Sequence, residues 1–323
     1  MTRSEALEEF RDKYCRDTDR LAEIFTSGME DGRDMLMDRI LKAFGQIADQ
    51  AGMQEKGVCV FFLFSLLRYD LLSDTARVRL DVMDGSWYLD EAPLHTEFDL
   101  TFLFAPYFKR REELLAAMRP YMGKVNRYDV FHIVQEEIMD ACRILTQYLR
   151  ILFRSIEAQE EFKRIPKLPF WEISFGEYRD QREVVLQVNR EMRNEEEWKK
   201  KLEDVKEDPG LLRFGWWYQA RLTEGDCRQM SLEHAAFEEC ILKDIDFGAA
   251  KMMGARFLRC RLTGCSFRQT DLTQAEFEGC IFTDCDFSEA ILQQAVFSPE
   301  GLKGGWFDEK QQEEMLVMEG VGA

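Results

Sequence analysis

The stretch AEFEGCIFTDCDF, Ala275 to Phe287, places Phe277, Phe282 and Phe287 five residues apart, with Ala275, Cys280 and Cys285 each two residues before one of them. An α-helix turns about 100° per residue, so a five-residue step rotates successive rings by roughly 140° and builds no apolar stripe. A strand fails as well, because residues five apart point to opposite faces. The backbone that satisfies this spacing bends once per repeat and returns every fifth residue to an inward direction. That backbone is a solenoid.

The phase extends far beyond the opening stretch. Leu232, Phe237, Leu242, Phe247, Met252, Phe257, Leu262, Phe267, Leu272, Phe277, Phe282, Phe287, Leu292 and Phe297 are all apolar. Two residues before each stands a smaller one in most repeats: Ala235, Cys240, Ala250, Ala255, Cys260, Cys265, Ala275, Cys280, Cys285, Ala290 and Ala295, with Met230, Ile245 and Thr270 as exceptions. This pattern resembles the pentapeptide-repeat family, whose motif is a small residue, then often Asp or Asn, then Leu or Phe, then two variable residues.

The resemblance implies a right-handed quadrilateral β-helix in which four pentapeptides make one square coil, so that residues twenty apart stack. Sorting the large positions by twenty supports this independently. One column holds Phe237, Phe257, Phe277 and Phe297, another Phe247, Phe267 and Phe287, and the other two are mostly leucine. Each coil contacts only its neighbours. With coils about 4.8 Å apart, the part from 230 to 297 is roughly 15 to 20 Å long.

Asp or Asn seldom precedes the large residue here, which implies turns less regular than in the purest family members. Upstream, Leu212, Trp217, Leu222 and Cys227 keep the phase, with Gly210, Gly215, Ala220 and Gly225 at the small position. Two readings stand for that segment: a degenerate first coil, or a cap in which FGWWY covers the open end. Downstream, SPEGLKGGWFDEK keeps Leu302 and Phe307 in phase but inserts Pro299 and glycines, so the array ends there. Asp308 is placed to start a short C-terminal helix carrying Phe307, Met315, Leu316 and Met318, and Gly320 to end it.

Residues 1–208 show no such repeat and read as mainly helical. Leu7, Phe10, Tyr14, Leu21 and Ile24 mark one amphipathic segment, and Leu36, Ile40, Phe44 and Ile47 a second. A long helix from about Asp129 to Glu160 carries Phe131, Val134, Ile138, Cys142, Leu145, Leu149, Leu152 and Ile156. Between them, a β-hairpin near 77–90 is expected from Val78, Leu80 and Val82, a turn at Asp84-Gly85, and Trp87 and Leu89. FWEISFGEYRDQREVVLQV is ambiguous between strand and helix. A charged helix with Trp198, Leu202 and Val205 on its apolar side ends at Asp208-Pro209-Gly210. The expected fold class is therefore multidomain α + β-solenoid: a mainly α-helical domain at 1–208, a pentapeptide-repeat β-helix at 209–307, and a capping helix and tail at 308–323.

The opening MTRSEALEEF is polar, and the longest apolar run, GVCVFFLFSLL from Gly57 to Leu67, is too short to span a bilayer. A cytoplasmic location is expected. Five of nine cysteines occupy the small inward position, where a free thiol packs as a small hydrophobe. No CxxC pair occurs, so neither a metal site nor a cofactor is expected.

Catalytic constellations are scarce. His95, Glu97 and Asp99 in HTEFD share one face of an extended strand, which reads foremost as a solvated face and secondarily as a divalent-metal cluster. His132 and Glu136 lie one helical turn apart, and His234 falls at an outward repeat position. No P-loop, nucleophile elbow or dinucleotide fingerprint appears.

The net charge of −18 tempts comparison with acidic pentapeptide-repeat proteins that mimic DNA, engage DNA gyrase or topoisomerase IV and confer quinolone resistance. Residues 230–307 hold twelve Asp or Glu against seven Lys or Arg, so most of the acidity lies elsewhere. Glu239 with Arg259, Arg256 with Glu276, and Lys251 with Asp271 pair opposite charges across the stack. The first expectation is a non-enzymatic protein-protein interaction or scaffold protein. A DNA mimic bound to a type II topoisomerase comes second, and an unrecognised enzyme in the helical half third. No direct nucleic-acid or membrane partner is expected. A homodimer is, through the C-terminal helix or the apolar face from Ile138 to Ile156.

Overall fold

The computed structural model describes residues 1–16, 18–177, 182–191, 194–299, 301–303 and 307–318. The chain forms two compact units, Met1–Leu186 and Gln187–Ala323. Glu300, Gly304, Gly305 and Gly320, which figured in the sequence reading, lie outside the described residues.

The first unit contains α1 (Arg3–Tyr14), α2 (Thr18–Asp31), α3 (Arg33–Met53), β1 (Cys59–Leu66), α4 (Arg68–Leu71), β2 (Arg77–Met83), β3 (Leu94–Asp99), α5 (Thr101–Ala117), α6 (Arg127–Leu152), α7 (Glu160–Lys163) and β4 (Lys167–Glu177). It also holds the start of β5 (Arg182–Asn189). The strands form one sheet in the order β3-β2-β1-β4-β5. Its centre is the apolar run at Gly57–Leu67, which sequence reading used only to exclude a membrane span. As β1 it pairs antiparallel with β2, Phe64 opposite Leu80, and parallel with β4, Phe62 opposite Ile173. Unbroken apolar sequence is what a strand flanked on both edges and packed on its faces requires. Phe62 and Phe64 meet Phe44, Phe153 and Phe162 from the helices, at 4.8 to 6.4 Å between neighbouring rings of this cluster. The ambiguous segment after Lys167 is strand on both sides of the undescribed residues 178–181.

The hairpin is present, with β2 and β3 antiparallel and Val78 opposite Phe98. Its second arm begins at Leu94, later than expected. Trp87 and Leu89 instead lie in a 3₁₀ turn, and Trp87 packs on Phe61 at 4.1 Å. Asp90 holds the longer loop by accepting from the backbone of Asp84 and Ala92 and pairing with Lys56 at 2.6 Å. The first expected amphipathic segment is two helices, α1 and α2. The long helix ends at Leu152 and continues as a 3₁₀ turn over Phe153–Ala158. Its stripe Ile138, Leu145, Leu149, Leu152, together with Ile156, is buried within this unit, so it is core and not the self-association surface expected from sequence. Among the described residues, no helix is long and apolar enough to cross a membrane.

The second unit begins near Gln187, some twenty residues before the Pro209 boundary read from sequence. The reason is α8 (Glu195–Asp204), whose Trp198 is fully buried in the solenoid core and meets Trp217 edge-on at 5.0 Å. The strands that follow are β6 (Trp216–Tyr218), β7 (Arg221–Asp226), β8 (Ala236–Glu238), β9 (Ile241–Asp246), β10 (Arg256–Leu258), β11 (Arg261–Thr263), β12 (Glu276–Glu278), β13 (Ile281–Thr283) and β14 (Val296–Phe297). The chain then adds α9 (Glu309–Glu314) and β15 (Leu316–Val317). One parallel sheet runs β15-β14-β12-β10-β8-β6 and another β13-β11-β9-β7. Every register step between rungs is twenty residues: Trp217, Phe237, Phe257, Phe277 and Phe297 lie in succession. Trp217 and Leu222 are inward and paired with Phe237 and Leu242, so the segment after Leu212 is a genuine first coil, and α8 is its cap.

The bend demanded by the period of five is visible in the backbone. Every fifth residue from Phe214 to Gln294 is left-handed, with φ between 49° and 68°. The turns are regular, contrary to the expectation drawn from the scarcity of Asp and Asn. Each non-glycine residue held there costs roughly 1–2 kcal/mol. Burying one large side chain per repeat stabilises by about 1.5–3 kcal/mol, enough to offset that strain. Phenylalanines of one column stack nearly parallel at 4.6 to 5.1 Å, Phe267 lying between Phe247 and Phe287.

At the C-terminal end Asp308 caps α9 through a capping box with Gln311. The Gln311 amide donates to the carbonyls of Phe287 and Ala290, and Phe307 lies 5.2 Å from Phe287 and Phe297. The helix is shorter than expected. Leu316 and Val317 form β15 opposite Val296 and Phe297, so the twenty-residue register outlasts the motif by one rung.

Candidate interaction surface

The inward columns are closed by their own chemistry. The thiols of Cys240, Cys260 and Cys280 donate to the carbonyls of Trp217, Phe237 and Phe257 at 3.1 to 3.2 Å. The Thr270 hydroxyl, an exception to the small-residue pattern, donates likewise to Phe247 at 2.7 Å. All nine cysteines are free. Burial raises the Cys59 thiol to about 11 and that of Cys142 to about 12, and desolvation also raises Cys260. Iodoacetamide without reductant is therefore expected to leave the buried solenoid cysteines unmodified in the native chain and to label all of them after unfolding. A Cys260–Cys280 disulfide recovered from fresh lysate would contradict this.

The outward residues differ by face. On the sheet β13-β11-β9-β7, the residue before each large one forms a column of Arg221, Ile241, Arg261 and Ile281, in register from rung to rung. Ile241 is 40% exposed and Ile281 52%. Ile291, 49% exposed, adds an apolar side chain to the opposite face, in register with Asp271. Family-type sequences favour polar residues at this position, so the dipeptides Ile241-Leu242, Ile281-Phe282 and Ile291-Leu292 were a legible signal. Sorting the outward positions by twenty for apolar residues, as for the opposite charges, exposes it.

Elsewhere, opposite charges ladder across the rungs. Arg256 meets Glu276 at 2.8 Å and Arg259 meets Glu239 at 3.3 Å, as expected, while Lys251 and Asp271 are backbone neighbours. Arg228 joins Asp226 at 2.7 Å and Asp246 at 3.7 Å. The guanidinium and backbone N–H of Arg228 hold Asp226 at about 2. Glu238, which sequence reading passed over, is a buried carboxylate held by Arg190 at 2.8 Å and Arg259 at 2.7 Å.

His95, Glu97 and Asp99 do share the exposed face of β3. Their carboxylates face arginines: Glu97 meets Arg77 at 2.9 Å, and Asp99 meets Arg39 at 2.9 Å and also accepts from Thr101. The His95 backbone is bonded on both sides by the Gln50 amide, which covers this sheet edge. His132 and Glu136 stand 3.7 Å apart on an exposed helix face, where Glu136 also pairs with Arg11. His234 is half-buried instead of lying on the surface. It takes the left-handed position, stacks on Phe214 at 5.0 Å, and occupies the space where a Cβ on Gly254 would stand 2.4 Å from its Nδ1. Among the described residues, no three His, Cys, Asp or Glu side chains are grouped to hold a metal ion.

Parallel rungs at a twenty-residue register, a left-handed residue every fifth position and stacked inward phenylalanines define a four-sided β-solenoid. Residues 230–304 match the family model described as a pentapeptide repeat region, and the C-terminal part of this chain is a pentapeptide-repeat solenoid. No family model matches the N-terminal part. No curated protein matches the chain significantly. Solved structures similar to it include a pentapeptide repeat protein from the Arabidopsis thaliana thylakoid lumen, 28% identical over 23% of this chain and 54% of that one, with a TM-score of 0.22. This chain thus spans little more than half the length of that protein. A pentapeptide repeat protein from Nostoc PCC 7120 is 14% identical over 36% of this chain and 94% of its own, with a TM-score of 0.21. QnrB1, a plasmid-mediated fluoroquinolone resistance protein, is 11% identical over 29% and 68%, with a TM-score of 0.19.

Proposed function

We propose that this chain is a non-enzymatic interaction protein whose solenoid presents rigid flat faces to a protein partner. The observation that carries this reading is the column Arg221, Ile241, Arg261, Ile281. Burying an isoleucine side chain stabilises by about 1.5–3 kcal/mol, and here the fold leaves two of them half in water on a face held stiff by the stacked core. The intervening arginines add apolar stems and guanidinium donors, the mixture that recurs at interface centres. Alternating rungs place the two isoleucines about 10 Å apart, within the footprint of one partner element.

The double variant Ile241→Glu/Ile281→Glu should keep the circular dichroism and melting temperature of the parent while losing its partners in a pull-down from native cytoplasm read by mass spectrometry. An unchanged partner set would sink the proposal. The alternative, an acidic DNA mimic acting on DNA gyrase or topoisomerase IV, needs a continuous negative face. Arg228, Arg256 and Arg259 interrupt the acidic columns, which counts against it. The pairing of Glu97 and Asp99 with arginines likewise supports a non-enzymatic reading of the first unit. A cytoplasmic location accords with nine free thiols.

A further inference from the structure

We propose that the groove between α2 and α5 in the first unit is a second docking site, built for an amphipathic helix of a partner protein. The two helices run antiparallel along it, Gly28 and Asp31 lining the same end as Phe102, and Arg20 the same end as Lys109. Between them lies an open trough of about 620 Å³ floored by Leu21, Ile24, Phe102, Ala105 and Pro106. Ile24 is 46% exposed although Phe25 beside it is fully buried against Phe104 and Tyr107. Two residues keep the trough open. A Cβ on Gly28 would meet nothing within 4 Å, so the glycine, which costs a helix interior about 1 kcal/mol, is not required by packing within the chain. Pro106 has no N–H to give the Phe102 carbonyl four residues back, which leaves an acceptor beside the groove.

Charge selects the occupant and its direction. Arg20 and Lys109 stand against Glu113 at one end, where Arg110 is held by the Tyr14 carbonyl and Glu137, while Asp31 stands at the other. From Arg20 to Asp31 the wall rises about 16 Å, three turns of helix. A helix laid in the trough with its apolar stripe at i, i+3, i+4 and i+7 would set its negative C-terminal end, with carboxylates, over Arg20 and Lys109. Its positive N-terminal end would meet Asp31. The occupant therefore runs antiparallel to α2.

The test uses the full chain and a fluorescent fourteen-residue helical peptide with leucines at that spacing, lysines at its N-terminal end and glutamates at its C-terminal end. A control peptide has the two charged ends exchanged. By fluorescence anisotropy the first peptide should bind about tenfold more tightly, since complementary ends set orientation as well as affinity. Arg20→Glu/Lys109→Glu, both at exposed positions, should reverse that order without affecting the fold. Gly28→Trp should abolish binding of both peptides while the melting temperature holds, and Gly28→Ala should raise the melting temperature and spare binding. Equal affinity for the two peptides would overturn the proposal, as would binding that survives Gly28→Trp. So would a dimer that Gly28→Trp converts to monomer with no peptide binding, which would make a second copy the occupant. None of these variants touches the isoleucine column, so this inference and the solenoid proposal fail separately.

Discussion

Phe267→Ala should lower the unfolding free energy of the solenoid by roughly 3 to 5 kcal/mol. Phe267 is fully buried, stacked 5.1 Å from Phe247 and 4.8 Å from Phe287, and edge-on to Phe257 and Phe277 at 5.8 and 6.0 Å. Deleting the ring removes its transfer free energy and leaves a cavity that cannot collapse, because the backbone above and below is fixed by the parallel ladders. The loss should appear as a lower urea midpoint with an unchanged slope, followed by far-ultraviolet circular dichroism. Ile281→Ala, at an exposed position, serves as the control and should stay within about 0.5 kcal/mol. A Phe267→Ala effect no larger than that of the control would mean that the stacked column is not what holds the coils together.

Trp198→Ala should cost a similar amount, roughly 3 to 5 kcal/mol, and should also promote association. The indole closes the N-terminal end of the solenoid, meeting Trp217 at 5.0 Å and Phe237 at 6.2 Å, while Gly225 leaves room for its ring. Around it, the Thr223 hydroxyl donates to Glu195, fixing α8 along β7. Losing this cap uncovers an apolar core end and a strand edge, the kind of surface that templates aggregation. Light scattering on heating should rise at a lower temperature than for the parent, and Trp198→Phe should restore most of the difference. If Trp198→Ala left both midpoint and scattering unchanged, α8 would not be a cap, and the unit would begin at Pro209 after all.

These two residues also separate what could be read early from what could not. Phe267 was placed from sequence with its neighbours, because in a solenoid each inward position is a fixed number of residues from the next and tertiary contacts become local arithmetic. Trp198 was assigned to a helix correctly but to the wrong unit, because nothing in a helical period says which body its apolar side covers. The C-terminal rung shows the same division. Asp308 announced the helix start, while Leu316, expected on that helix, and Val317 joined the sheet through backbone ladders that carry no side-chain signature.

The linear order of residues thus determined the solenoid, its bend once per five residues, its four columns and the inward placement of its cysteines, since a one-dimensional repeat writes its core into its spacing. Tertiary structure alone decided the rest. The apolar run at Cys59–Leu66 became a central strand because two partners distant in sequence flank it, and His95, Glu97 and Asp99 became a paired polar face because Arg39 and Arg77 arrive from elsewhere in the fold. The α2–α5 groove exists only because two helices some eighty residues apart pack side by side and leave Gly28 and Pro106 lining the space between them. Such contacts depend on loop closure over long separations and leave no period in the chain to be read.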